Sequence, residues 1–567
     1  MKLIETSKSI FAILLLSLSL NLWGVNWGLP KEWHPDEITP RAMTMFDQRT
    51  LNPHFFAYGS LQPYQLILFA VIPARVLNKV MPLDDMTQNN VVIVLSRVLS
   101  ALMGTGIVFM TFLLAKALFN EQVALFSSLL LTVSMGFVGL SHFATTDIPS
   151  AFWFIASCLM STYAFMDKNR KWYLLAGLFA GFTAGVKYVG GISLLALVAA
   201  HFLSPGRKNQ KNLAIGIFMA FIGFVITNPV IIFSFFEFVE GFLKENTFNA
   251  SRDANDPRAF LPLVFILRDG LGLPLFLLIL GGIFYSLKLL YSRESRKEAL
   301  LVWSMIFFYY VVMGSTHSSR LRYMMPILPV LLVLTGKMLS DFVNSNYKVA
   351  RTVSIGSLGI VVGYSLIYTL SAELQFTNDA RYRAADWISS HAKEGATIEV
   401  TSYGPNIPND KRYVVVRRPL DAGVSATASL TKTESSYGVL QAMISKLRSV
   451  TGDRQESYSA WWEKAIDRHQ KESMTFDLSV KGLETRRPDY LIVSEFAYYG
   501  FLGDKSSVEG QFFDALFSGG TSYKKVAEFR YSFFPFGDPE VDFVNPVIDV
   551  YRAAATELRE SGLGEPR

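Results

Sequence analysis

The stretch KEWHPDEITPRA, residues 31–42, places two carboxylates side by side, close to the first apolar segment of the chain. Asp36 and Glu37 follow Pro35, and a proline with acids in the first turn is favourable at a helix start. A helix start of this kind also fixes a carboxylate in place, as an active site requires. The stretch therefore fits both a solvated helix start and part of an enzyme active site.

A third carboxylate, Asp147, stands in SHFATTDIPSAF at the start of another apolar segment. An acid at a helix start before Pro149 can have a purely structural role. Ionisable groups at membrane depth are costly, however, and they commonly have a task. Asp147 is therefore a candidate partner of Asp36, provided that both lie at the same membrane face.

Three basic residues are candidates for binding an anion. Arg320 and Arg322 stand in HSSRLRYMMP, directly before an apolar segment, and Lys187 stands in GVKYVGG between two short ones. The planar fork of arginine suits phosphate because it donates two parallel hydrogen bonds. Anchoring of the arginines to lipid headgroups and snorkelling of the lysine are the alternatives.

Aromatic residues and histidines could complete a substrate site. NPHFFAYGSLQPYQ, residues 52–65, can line a sugar site with aromatic faces, or it can be an interfacial aromatic belt. The candidate substrate-binding residues are His34, His54, Tyr58, His142, Tyr188 and His317.

The histidines lack a tight spacing of metal ligands, so no metal site is predicted. A divalent metal held by Asp36, Asp147 or a histidine is the alternative, and no cofactor is predicted to be required. The polar segment 235–262 is predicted to be a long loop, either a lid over the site or a disordered connection.

The composition is that of a membrane protein. Of 567 residues, 51% are hydrophobic and only 18% are charged, and the apolar residues are bunched in the first two thirds of the chain. The net charge of +6 comes from basic clusters between apolar runs, which fits topology signals better than nucleic-acid binding. The single cysteine, Cys158, excludes an internal disulfide.

Eleven segments are long enough, or nearly so, to cross a membrane. They are 9–29, 91–117, 121–141, 145–167, 172–186, 188–204, 212–234, 265–290, 299–314, 323–341 and 350–371. The segment 61–80 has a shorter apolar run, ended by Pro73, Arg75 and Lys79, and it is predicted to be an interfacial helix.

This count predicts the side on which each loop lies. It places the densest basic clusters in the cytoplasm, as the positive-inside rule requires. These clusters contain Lys168, Arg170, Lys171, Arg207, Lys208, Lys211, Arg293, Arg296, Lys297, Lys348 and Arg351. The N-terminus is then cytoplasmic, and the candidate site residues meet at the extracytoplasmic face of the cell membrane together with the C-terminal region.

The C-terminal region is predicted to be a separate soluble domain, so the chain divides into residues 1–372 and 373–567. Its residue pattern predicts a helix followed by a strand at 378–405, a helix at 457–470, and strands at 412–416, 488–496, 523–531 and 547–552. Alternating helices and strands predict an extracytoplasmic α/β domain. Its predicted role, recognition of the acceptor, depends only on its side of the membrane.

Several of these stretches occur in a familiar order. WHPDE, NPHFFAYGSL, SHFATTDIPSAF, GVKYVGG and RYMMPILP follow one another over about residues 1–370. This series resembles the dolichyl-phosphate-mannose-protein mannosyltransferase-like branch of the integral-membrane glycosyltransferases with the GT-C fold. The aminoarabinose transferase that modifies lipid A is a relative of that branch.

The resemblance implies a sugar donor linked to polyprenyl phosphate and bound from the outer face of the membrane. It implies that Asp36 is the catalytic base, with Glu37 beside it, and that Asp147 is the second acidic residue of the site. The phosphate would meet Lys187 and the two arginines. The acceptor, a hydroxyl or amine of a protein, lipid or glycan, is not specified.

A transporter of a lipid-linked or anionic solute is the alternative function. Transporters place ionisable residues near the membrane midplane and often contain inverted repeats. Here the notable charges stand at the outer ends of the predicted spans, and the sequence has no convincing internal repeat. The pattern favours the glycosyltransferase.

Overall fold

The computed structural model describes residues 2–205, 209–252, 257–407, 412–417, 478–534 and 537–554. The chain forms two compact units. The helical unit comprises Met1–Asn26, Pro35–Glu373 and Phe534–Val541, and the sheet unit comprises Trp27–His34, Leu374–Phe533 and Asp542–Arg567. Arg207, Lys208 and the helix predicted at 457–470 lie outside the described residues.

The first part of the chain is helical throughout, as long apolar runs with few helix breakers require. Its α-helices are α1 (Lys2–Leu22), α2 (Thr39–Asp47), α3 (Leu61–Leu66), α4 (Ile72–Val80), α5 (Asp85–Leu118), α6 (Glu121–Thr132), α7 (Met135–Ser141), α8 (Asp147–Asp167), α9 (Arg170–Val186), α10 (Leu194–Leu203), α11 (Gln210–Thr227), α12 (Val230–Phe233), α13 (Phe235–Arg252), α14 (Phe260–Leu271), α15 (Leu273–Leu289), α16 (Arg296–Gly314), α17 (Leu328–Val343) and α18 (Lys348–Thr377). Shorter turns are a π-helix at Ile67–Val71 and 3₁₀-helices at Tyr188–Ser193 and Leu321–Met324.

Each of the eleven segments predicted to cross the membrane contains a helix. Within the described residues, five helical stretches are long and apolar enough to do so: α5, α8, α11, α16 and Lys348–His391. The pair α6 and α7, bent by 65°, gives a sixth if it is one span. These helices confirm a polytopic helical membrane protein, and the full count of eleven stays a prediction.

One predicted span is interrupted. The segment 265–290 contains the end of α14 and the whole of α15, with Gly272 between them at a φ of +78°. A Cβ at this position would lie 2.7 Å from the ring of Tyr364. Both the left-handed backbone and the close packing therefore require glycine.

The segment 61–80 is helical along its length, but it is not among the stretches able to span. Pro73 has no N–H to donate, and the turn before it widens into the π-helix, in which Ile72 N–H donates to Ile67 O. Ala70 and Ala74 pack in a buried cluster with α5, while Phe69 and Val76 are exposed. A helix with an apolar exposed side agrees with the predicted interfacial position.

The prediction of a long loop over 235–262 is wrong, because α13 occupies most of this segment. Phe235, Phe238 and Phe242 recur at helical spacing, which the polar composition of the segment conceals. The ring centroid of Phe238 lies 5.7 Å from that of Phe56, and that of Phe242 lies 5.0 Å from that of Tyr188. These aromatic contacts fix the helix against its neighbours.

The sheet unit contains β1 (Thr397–Val400), β2 (Val414–Arg417), β3 (Tyr490–Ser494), β4 (Tyr523–Phe529) and β5 (Ile548–Ala553). The strand order is β2-β1-β3-β5-β4, with β1 parallel to β2 and β3, and β5 antiparallel to β3 and β4. The helices of this unit are α19 (Ala380–His391), α20 (Val480–Arg486), α21 (Glu495–Tyr498) and α22 (Val508–Ser518).

Helices cover both faces of the sheet. On one face, Ile388 of α19 packs with Ile398 and Ile492. On the other, Phe512 of α22 packs with Leu491. All five residues of β3 are buried, as expected for a central strand covered on both sides. The C-terminal α/β architecture predicted from the sequence is confirmed.

Candidate functional site

Four charged side chains meet in the helical unit as two ion pairs. Arg322 Nη1 donates to Asp36 Oδ2, and Lys187 Nζ donates to Asp147 Oδ1. Burial lowers the pKa of Arg322, but the negative charges of Asp147 and Asp36 outweigh it and raise that pKa. Because both acids act on one guanidinium, the two pairs form a single cluster. The structure thus brings together two of the predicted acids and two of the predicted cations.

The two ion pairs differ in exposure. The side chain of Asp147 is 3% exposed and that of Lys187 is 12% exposed. The side chain of Asp36 is 36% exposed, while that of Arg322 is 13% exposed. Thr145 Oγ1 also donates to Asp147 Oδ2 at 3.0 Å. Asp147 is therefore a fixed, enclosed carboxylate, and Asp36 is the acid of the cluster that a reactant can reach.

Glu37 holds the chain segment that carries Asp36. Its two carboxylate oxygens accept hydrogen bonds of 2.8 Å from Nε and Nη2 of Arg97, in the middle of α5. Both side chains are at most 1% exposed. Glu37 Oε1 also accepts the Ala144 N–H at 3.0 Å, and Ile38 N–H donates to Ala144 O at 3.2 Å. These bonds join the segment of Asp36 to the one that leads into Asp147.

The sequence prediction put Glu37 in the catalytic set, and its described hydrogen bonds are with Arg97 and Ala144. Arg97 was missed by the sequence analysis. The available signal was an arginine in the middle of a long apolar helix, where an ionisable residue needs a partner. The identity of that partner is not readable from the sequence, because Glu37 lies far from Arg97 along the chain.

Lys187 follows α9 at a close contact between two glycines. Gly59 N–H donates to Val186 O at 3.1 Å, and a Cβ on Gly59 would lie 2.0 Å from Gly185 O. This approach brings Tyr58 next to Lys187, whose Nζ lies 5.5 Å from the centroid of the Tyr58 ring. The small residues thus place a cation–π contact at the cluster.

We expect Gly59→Ala to lower the free energy of unfolding by about 1–3 kcal/mol, because the new methyl group collides with the backbone of Gly185. Denaturant unfolding of the purified protein in detergent measures this change. Gly356→Ala is the matched control, since nothing lies within 4 Å of a Cβ at that helical glycine. Equal stabilities of the two variants would contradict the close contact.

Two tyrosines border the cations. Burial raises the pKa of Tyr58, so its hydroxyl stays protonated and can donate a hydrogen bond. The ring centroid of Tyr323 lies 5.9 Å from Lys187 Nζ and 5.8 Å from Arg322 Cζ. Tyr323 was not predicted as a site residue, although it adjoins Arg322 in RYMMP.

Two other predicted substrate-binding residues hold the segment that leads to Tyr58. Tyr188 Oη donates to the carbonyl oxygens of Phe56 and Tyr58, at 3.1 Å and 2.9 Å. His54 Nδ1 lies 2.7 Å from Glu237 Oε1 on α13. Tyr188 thus holds the backbone of Phe56 and Tyr58, and His54 connects this segment to α13.

The remaining predicted residues lie in several places. His142 is buried, with Nδ1 2.8 Å from Val138 O and Nε2 2.9 Å from Glu373 Oε2. His34 belongs to the sheet unit, where its ring centroid lies 5.0 Å from that of Phe543. His317 and Arg320 are half-buried in the loop before the 3₁₀-helix Leu321–Met324.

Within the described ranges, no group of three or more His, Cys, Asp and Glu side chains is arranged to hold a metal ion. Asp36 and Asp147 each have a cationic side chain as partner. Arg322 and Lys187 therefore neutralise the two carboxylates in this structure.

Comparisons with known proteins find similarity within the helical unit. Residues 88–233, from α5 through α12, match a family model described as dolichyl-phosphate-mannose-protein mannosyltransferase. A curated relative from Aquifex aeolicus (strain VF5), an uncharacterized protein, is 26% identical over 292 residues, which are 49% of this chain and 54% of the relative. The match thus spans about half the length of that relative.

Comparison with solved structures also finds similar chains. The archaeal oligosaccharyltransferase AglB from Archaeoglobus fulgidus, in complex with an inhibitory peptide and a dolichol-phosphate, is similar with a TM-score of 0.51 at 13% identity, over 88% of this chain and 70% of that chain. ArnT from Cupriavidus metallidurans, bound to undecaprenyl phosphate, gives a TM-score of 0.49 at 14% identity over 98% of each chain.

The fold shared with AglB confirms the fold class predicted from the sequence. The chain is a membrane protein with the GT-C fold of integral-membrane glycosyltransferases. Its segment 88–233, which contains Asp147 and Lys187, is similar to the family described as dolichyl-phosphate-mannose-protein mannosyltransferase.

Proposed function

We propose that the protein is a glycosyltransferase that moves a sugar from a polyprenyl-phosphate-linked donor to an acceptor hydroxyl or amine. The observation that supports this most is the cluster of two acids and two cations. Asp36, its more exposed acid, lies directly beside Arg322. Transfer from a lipid phosphate requires a proton acceptor and a phosphate-binding cation in the same site.

In the proposed reaction, the acceptor oxygen or nitrogen attacks the anomeric carbon while the bond from that carbon to the phosphate oxygen breaks. Asp36 takes the acceptor proton, and Arg322 and Lys187 stabilise the negative charge on the departing phosphate. The Tyr58 hydroxyl can donate a hydrogen bond to the same group. A single displacement of this kind inverts the anomeric configuration.

Asp147 and Glu37 have different roles in this proposal. Asp147 holds the Lys187 ammonium in the cluster, with Thr145 fixing the carboxylate. Glu37 and Arg97 hold the backbone on which Asp36 lies. The Asp147–Lys187 pair presents a cation to the phosphate, and the Glu37–Arg97 pair holds the base in position for the acceptor.

We place this reaction at the outer face of the cell membrane, with the N-terminus in the cytoplasm and the C-terminal domain, residues 373–567, outside. The support is the distribution of basic residues, which is densest in loops that then face the cytoplasm. The C-terminal domain would recognise the acceptor. The family description and the dolichol-phosphate bound to AglB agree with a lipid-phosphate donor.

The proposal is tested with the purified protein in lipid nanodiscs and a panel of polyprenyl-phosphate-linked sugars. We expect release of polyprenyl phosphate from one donor, and faster release when a competent acceptor is present. A heat-denatured sample is the background control. Movement of a lipid-linked solute across a sealed vesicle, without cleavage of any donor of the panel, would support the transporter instead.

A further inference from the structure

Arg322 is the partner of the proposed base, yet part of its guanidinium has no described partner. Its Nη1 donates to Asp36 Oδ2. Its Nε is buried and has no hydrogen-bond partner among the described residues. A guanidinium carries five N–H donors in a planar fork, so this side chain can engage a second anion. A buried donor without a partner is costly, and an incoming anion relieves that cost.

The exposure of the two ion pairs indicates which of them can change partner. Asp147 is enclosed, and both Lys187 and Thr145 donate hydrogen bonds to it. Asp36 is more than a third exposed, so water can solvate its carboxylate when Arg322 turns away. Separating the Asp36–Arg322 pair therefore costs less than separating the enclosed pair.

The proposed reaction moves negative charge between the two groups that Arg322 can contact. This step depends on the function proposed above. The donor is a phosphodiester with one negative charge, and the product is a phosphate monoester with up to two. The acceptor proton moves to Asp36, which becomes neutral as the bond from the anomeric carbon to the phosphate oxygen breaks. The summed charge is unchanged, because one negative charge leaves Asp36 and one appears on the phosphate.

We propose that Arg322 exchanges partners during transfer, from the Asp36 carboxylate in the resting enzyme to the leaving phosphate. The exchange has two effects. The donor phosphate draws Arg322 away, so the base becomes available only when a donor is bound. Protonation of Asp36 then removes its attraction for Arg322 as the phosphate gains charge, so proton transfer and phosphate departure favour each other.

The first test measures binding of undecaprenyl phosphate to the full-length protein in nanodiscs. We expect Arg322→Gln to weaken binding by about ten-fold or more, as loss of a charge-assisted hydrogen bond implies. Arg75→Gln is the matched control, because Arg75 also pairs with an aspartate, Asp47, in an exposed ion pair of the same unit. Arg322→Lys keeps the charge, so its affinity for undecaprenyl phosphate should lie between those of Arg322→Gln and Arg75→Gln. Unfolding curves identify any variant that is not folded.

The second test is a cryo-electron microscopy structure of the wild-type protein saturated with undecaprenyl phosphate. The exchange requires Arg322 to be hydrogen-bonded to phosphate oxygens and separated from Asp36. An Arg322 that still donates to Asp36 in that complex overturns the exchange, as does wild-type affinity in a folded Arg322→Gln. Neither result contradicts sugar transfer from a lipid phosphate, which the donor-cleavage assay tests separately. Failure of the wild type to bind any polyprenyl phosphate contradicts the proposed function, and the exchange with it.

Discussion

Asp36→Asn is expected to reduce sugar transfer by about 10²–10⁴-fold, the usual contribution of a general base. Asparagine keeps the size of the side chain but cannot take the acceptor proton. Arg322 loses a competing carboxylate, so binding of the donor should persist or become tighter. The measurement is the rate of acceptor-dependent release of polyprenyl phosphate, together with a separate titration of the lipid phosphate.

Asp47→Asn is the matched control for this variant. Asp47 is also an aspartate paired with an arginine, Arg75, but it is 54% exposed and lies outside the cluster. We expect its transfer rate to stay close to that of the wild type. If Asp36→Asn transferred sugar at the wild-type rate, the assignment of the base would be wrong. If it lost binding and transfer together, Asp36 would be a binding residue.

The elements around the site were readable from the sequence because each depends on local pattern. Long apolar runs predicted the helices, and alternating segments after residue 373 predicted all five strands at or near their observed positions. Counting the spans placed Asp36, Asp147, Lys187 and Arg322 at one membrane face, and the structure brings these four together.

The pairing inside the cluster was not readable from the sequence. Which acid meets which cation depends on how α8, the end of α9 and the 3₁₀-helix Leu321–Met324 pack around the segment of Asp36, and this packing cannot be derived from the sequence. Glu37 is the clearest case, since its position beside Asp36 suggested catalysis while its carboxylate turns to Arg97 on α5. The helix α13 was missed for another reason, because overall polarity outweighed the spacing of its phenylalanines.

The Glu37–Arg97 pair gives the largest expected effect on stability. Arg97→Met leaves the Glu37 carboxylate buried without its cation, which should lower the free energy of unfolding by about 3–5 kcal/mol. Arg268→Met is the matched control, since it breaks an ion pair with Asp269 in which both side chains are at least half exposed, and it should change the free energy of unfolding far less. Denaturant unfolding in detergent measures both. Equal effects would show that the buried pair does not hold this segment.

Adding Glu37→Gln to Arg97→Met separates positioning from catalysis. Glutamine removes the buried charge and can still accept the Ala144 N–H through its side-chain oxygen. We therefore expect the double variant to regain most of the lost stability, because neutral replacement of a buried ion pair is often tolerated. With Asp36 back in place, transfer should lie within about ten-fold of the wild type, well above that of Asp36→Asn. A double variant that is stable but as inactive as Asp36→Asn would instead assign Glu37 a direct part in the chemistry.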